Sequence, residues 1–212
     1  MTEDSKTATG GDPANPVERQ GFQKFDLRLF ADVAPDLGMD EISNRILEIF
    51  GRWRLEEGEE LMDLADYAHV PEGPGILLIG HRWQFGVDWA NSKPSLFYSS
   101  RKGLSGDLSE RLGQALSGLF QKSARLLGED SMATGLTPQL GELEIAFNDR
   151  LSFPNNPASD KVARPAVDAV LAKLYVSPAP TVVPEADKGR RLAYRVSATG
   201  GAQTVEELGQ RI

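Results

Sequence analysis

From Lys24 to Leu29 polar and apolar residues alternate: Phe25, Leu27 and Leu29 are interleaved with Lys24, Asp26 and Arg28. This is the period-2 pattern of a strand with one buried face. The period then changes. In GMDEISNRILEIFGRW the apolar positions Ile42, Ile46, Ile49 and Trp53 recur every three or four residues, widened by Leu47 and Phe50, with Asp40 and Glu41 at the end that favours negative charge. The pattern predicts a first helix over about 40–53.

The acidic LEEGEELMDLADYAHV that follows reads as a connector. Ile76 to Ile79 is a short continuous apolar run between Gly73-Pro74-Gly75 and Gly80, which predicts a strand buried on both faces. A strand near 84–89 and another from Ser95 to Ser100, with Ala90-Asn91-Ser92-Lys93 as the turn, complete a hairpin or meander. DLSERLGQALSGLFQKSARLLG is the clearest helix: Asp107 and Glu110 form a capping-box pattern, and Gly128 stands at the C-cap. Leu108, Leu112, Ala115, Leu116, Leu119, Phe120, Leu126 and Leu127 form its apolar face. Gly113 and Gly118 interrupt it, which fits either close packing against another backbone or an indifferent exposed position.

Leu143, Ile145 and Phe147 alternate with Glu142 and Glu144, and Asn148-Asp149 suits a tight turn, so a strand pair with 150–153 is expected. Val162, Ala166, Val170 and Leu174 mark a third helix, in which Pro165 sits either in the first turn or at a kink. Thr181 to Val183 and Leu192 to Val196 read as a last hairpin with Tyr194 and Val196 inward, and Val205, Leu208 and Ile212 share one face of a short terminal helix. Antiparallel connections outnumber crossovers. The predicted class is therefore α+β, a mainly antiparallel sheet with about three helices packed on it.

Composition adds boundaries to this plan. Residues 1–21 are small, polar and without apolar periodicity, which predicts a flexible tail; 22–198 would form a single α+β domain, and 199–212 a tail or short docking helix. The net charge of -8 and isoelectric point near 4.9 disfavour nucleic acid and anionic membranes as partners. Cysteine is absent, and the only histidines are His69 and His81, so thiolate chemistry and a multi-histidine metal centre are excluded. No leader pattern and no apolar run of about 18 residues occurs, so a cytoplasmic location is expected.

The candidate chemistry is sparse. His81 ends the most apolar run of the chain and would be a general base if Asp88 oriented it across a hairpin; otherwise His81 and Arg82 are a polar strand end. His69, beside Tyr67 and before Val70-Pro71, reads as a turn residue. There is no Gly-x-Ser-x-Gly elbow and no phosphate-cradling glycine loop before a helix, so no cofactor is expected. The carboxylates Glu56, Glu57, Glu59, Glu60, Asp63 and Asp66 lack the spacing of a calcium loop and read as a solvated acidic face, with no metal.

Two surfaces stand out for binding. Arg191 and Arg195, with Lys188 and Arg190, make a basic cluster suited to pairing with acidic residues or to gripping an anion. Trp83, Phe85, Val87 and Trp89 share one face of a strand, which either lines the core or docks a partner. The leading expectation is a non-catalytic protein-interaction or assembly module, engaging a protein partner or a second copy through this aromatic hairpin and Arg82. The alternative is a small cytoplasmic hydrolase or transferase using His81 as base.

Overall fold

The computed structural model describes residues 21–57, 60–70, 74–89, 93–132, 134–199 and 201–212. The tail expected over 1–21 lies outside them except for Gly21, as do Gly73 and residues 90–92 of the expected turn.

Among the described residues, eight strands form one sheet: β1 (Phe25–Val33), β2 (Leu61–Tyr67), β3 (Gly75–Gly80), β4 (Trp83–Asp88), β5 (Ser95–Ser100), β6 (Leu136–Phe147), β7 (Thr181–Pro184) and β8 (Ala193–Ser197). Their order is β2-β3-β4-β5-β1-β6-β8-β7, and every neighbouring pair is antiparallel. Helices α1 (Met39–Glu57), α2 (Leu108–Leu127), α3 (Pro157–Leu174) and α4 (Val205–Gln210) complete it. The class is α+β, as the alternation predicts. No helix among the described residues is long and apolar enough to cross a membrane.

Because directly paired residues point to the same side of a sheet, the register sorts the side chains into two faces. One row runs Leu64, Leu78, Phe85, Tyr98, Leu27, Ile145, Tyr194 from β2 to β8. This row meets the helices. Phe50 and Trp53 of α1 touch the Phe85 ring, Gly118 of α2 lies against Tyr98, and Asp160 of α3 accepts a hydrogen bond from the Tyr194 hydroxyl at 2.8 Å. The adjacent row, Ala65, Leu77, Gly86, Phe97, Arg28, Glu144, Arg195, Val183, faces away from the helices.

Most elements sit where their periodicity places them, and α4 docks on α2 through buried Val205 and Leu208. Gly118 is the close approach anticipated in α2, but to a ring: a Cβ there would lie 2.7 Å from Tyr98, whereas one on Gly113 would meet only Ile212 at 3.6 Å. Two expectations need correction. The acidic connector contains β2, an edge strand in which Leu61 is buried and Leu64 packs on the core while most other positions stay exposed; backbone hydrogen bonds to β3 hold it with only these two apolar contacts inward. Residues 150–153 form a turn instead of a strand. There the Asp149 carboxylate accepts the N–H groups of Leu151 and Ser152 at 3.1 and 3.2 Å, Phe153 enters the core against Phe22 and Phe147, and β6 pairs with β8 instead. Of the two places open to Pro165, the first turn is excluded: α3 starts at Pro157, capped by Asn156, which leaves Pro165 inside the helix. The donor Pro165 lacks would have bonded Lys161, an exposed position where water can serve that carbonyl.

The capping box of α2 forms as read: Asp107 accepts the Glu110 N–H at 2.9 Å, and Glu110 accepts the Asp107 N–H at 2.8 Å. The Glu110 N–H, and then the Ser109 hydroxyl, hold the Asp107 carboxyl below its ordinary range. A carboxyl depressed by folding stabilises the folded state above its unfolded pKa, and that contribution is lost as pH falls through the folded value. Asp107→Asn keeps a capping oxygen but cannot titrate, so its urea midpoint is expected to fall less steeply below about pH 4 than the wild type's. Parallel acid limbs would assign the loss to other carboxyls.

Candidate functional site

The turn between β3 and β4 consists of His81 and Arg82 and leads directly into Trp83. The Arg82 carbonyl accepts the N–H groups of Arg101 and Lys102 at 2.8 and 3.4 Å, which ties the segment after β5 to this turn. Two glycines make the corner possible. A Cβ on Gly80 would come within 3.2 Å of the Trp83 ring, and at Gly103 (φ +90°) one would lie 2.9 Å from the Arg82 stem. The stem therefore lies across the bare Gly103 backbone and carries its guanidinium to the rim.

Glu60, His81, Arg82, Trp83 and Lys102 line a hollow of about 480 Å³. Trp83 is half-buried, offset-stacked on Tyr98 with 6.4 Å between ring centres. The Lys122 ammonium lies 3.5 Å from its ring centre, a cation–π contact. Burial pushes the Tyr98 phenol up to about 12, with Arg82 acting in the opposite direction. Glu60 is the acidic member of the lining, and it meets Arg82 at 3.3 Å with the two side chains 64% and 58% exposed. A pair so exposed is weakly held. The hollow is thus a locally cationic feature in a chain of net charge -8.

The remaining predicted residues lie elsewhere. His81 is exposed and Asp88 ends β4, about 16 Å along the strand from Trp83, so the two are not brought together. Asp88 instead receives Nε and Nη2 of Arg28 at 2.9 and 2.7 Å on the face away from the helices. Arg28 Nη1 reaches Glu144 at 2.8 Å, and Glu144 also receives Arg195 at 3.1 Å. Arg191 pairs with Asp26. Arg191 and Arg195 are therefore engaged by carboxylates of β1 and β6, while Arg190 meets Glu185 and Asp187 of its own hairpin and Lys188 donates to Asn155. Phe85 is fully buried, and the face it shares with Trp83, Val87 and Trp89 points toward the helices. Only Trp83 and Trp89, at its ends, are half-buried.

His69 is exposed in the turn after β2. Of the acidic segment, Glu59 and the Glu57 side chain lie outside the described residues; Glu56 pairs with Arg125, and Asp63 and Asp66 accept nearby backbone N–H groups. Among the described residues no three His, Cys, Asp or Glu side chains converge as metal ligands.

Sequence reasoning missed Lys102, Glu60 and Lys122 as neighbours of Trp83. For Lys102 a signal existed: pairing Trp83 with Ser100 sets Arg101-Lys102 beside the His81-Arg82 turn. Compared with models of known protein families and with curated protein sequences, the chain matches none.

Proposed function

We propose that this chain is a non-catalytic binding module whose contact surface is the hollow at the β3–β4 turn, with Trp83 as apolar anchor and Arg82 and Lys102 as charged contacts for a protein partner. The observation that supports it most is the convergence of Arg82, His81 and Lys102 from two separate segments around one half-buried tryptophan. A rigid aromatic edged by cations is the composition of an interface hot spot. The alternative acid–base role for His81 lacks an orienting carboxylate at hydrogen-bonding distance among the described residues. In this reading the module works in the cytoplasm, where a cysteine-free chain is indifferent to reducing conditions.

The test compares affinity recovery from native lysate by the wild type and by Arg82→Ala/Lys102→Ala, two exposed positions whose loss leaves the core intact. The wild type is expected to retain a partner that the double variant loses about tenfold or more. If the partner is a second copy, the double variant abolishes a concentration-dependent increase in mass. Identical recovery and identical mass for the two proteins would sink the proposal.

A further inference from the structure

The hollow holds more than its lining cations: one acid is already seated in it. Glu60 immediately precedes β2, and its carbonyl accepts the His81 N–H at 3.4 Å. Its main chain is thereby fixed beside the turn, while its carboxylate reaches Arg82 at 3.3 Å from a side chain that is 64% exposed. The position is held, but the ion pair is not. Lys102 and His81 line the same space without a carboxylate partner among the described residues. One acid thus faces two permanent cations and an imidazole, and a guanidinium has donors left over after a single contact.

From this geometry we infer that Glu60 is a resident stand-in, and that the hollow takes a carboxylate-rich segment of a partner protein whose acids displace Glu60 from Arg82. This rests on the docking function proposed above and specifies its chemistry. Recognition falls mainly to side chains, because three backbone N–H groups beside the hollow, those of His81, Arg101 and Lys102, already bond protein carbonyls. Phosphate sites use free backbone N–H groups, often at a helix N-terminus, and the lining contains no α-helix residue. Flexible cations beside an indole edge suit successive Asp or Glu side chains on an extended segment. Displacing Glu60 costs little, since the pair is solvated on both sides.

The probe is a hexaglutamate peptide, titrated at low salt into 15N-labelled full-length protein and into its Glu60→Gln, Arg82→Gln and Lys102→Gln variants. The peptide is expected to shift the Trp83 indole and the amides of 81–83 and 101–103. Removing the stand-in should tighten binding about threefold, the worth of one solvated ion pair. Removing either cation should weaken it about three- to tenfold, and salt should weaken all of it. Binding at these residues that Glu60→Gln leaves unchanged or weakens overturns the stand-in role while leaving the docking proposal intact. The absence of any shift by hexaglutamate in any variant overturns the acidic-segment inference, whereas the docking proposal falls only with identical recovery and mass in the Arg82→Ala/Lys102→Ala comparison. Shifts by inorganic phosphate at the same amides, without any by hexaglutamate, overturn the choice of an acidic segment.

Discussion

Arg28→Met is expected to lower the stability of the fold by about 3–5 kcal/mol, read from the urea midpoint at unchanged slope. Arg28 stands mid-sheet on β1, on the face away from the helices, bonded to Asp88 and Glu144 and with its guanidinium 5.0 Å from the Phe97 ring centre. The Asp88 side chain is only 2% exposed. Burial works against the charge on Arg28, yet the fields of Asp88, Glu144 and Asp26 and the hydrogen bond to Asp88 hold its pKa above the ordinary value. Methionine keeps much of the stem's volume but removes the guanidinium, so the Asp88 carboxylate loses both Arg28 hydrogen bonds in a site that water barely reaches. Arg28→Met/Asp88→Leu should recover part of the loss, because the buried carboxylate that has lost Arg28 leaves as well. A single-variant loss below about 1 kcal/mol would class the network with solvated surface pairs.

Phe85→Ala should cost about 3–5 kcal/mol, the usual penalty for emptying a buried aromatic site. Phe85 has no exposed surface, and its ring lies 5.9 Å from Phe50 and 6.5 Å from Trp53 between centres. For a chain of this length that loss lowers the thermal midpoint by roughly 10 °C. Trp83→Ala, two residues away on the same face but half-buried at the rim, should lower it less. Equal losses from the two variants would contradict the division of this face into a core centre and a docking end.

That division shows how much of the candidate site was legible. Alternation identifies Trp83, Phe85, Val87 and Trp89 as sharing a face, because successive strand side chains point to opposite sides. It cannot say what covers the face. Phe50 and Trp53 of α1 cover its middle, and they lie more than thirty residues earlier in the chain. The pairing of His81 with Asp88 fails for a related reason. Seven residues look close in sequence, but an extended strand carries each step about 3.3 Å further away. Glu60, Lys102 and Lys122 reach Trp83 from a segment before β2, the loop after β5 and the middle of α2.

The helices and most strands were legible because their signals are local. The Asp107–Glu110 box, the apolar stripe of α2 and the alternation around Leu27 each operate within one or two turns of chain. β2 carries almost no such signal, since an edge strand can pair through its backbone and leave its side chains wet. Pro165 shows the opposite limit, a strong local breaker signal overridden where packing holds the helix on both sides of it. By itself the sequence determined the periodicities, and with them the α+β class, the acidic charge and the absence of thiol chemistry. Only the tertiary structure decided which sheet face the helices cover, which carboxylates Arg28, Arg191 and Arg195 meet, and that two basic segments close around Trp83. Local pattern sets the direction of a side chain relative to its own element; what lies opposite depends on register and packing between distant segments, which short-range propensity does not encode.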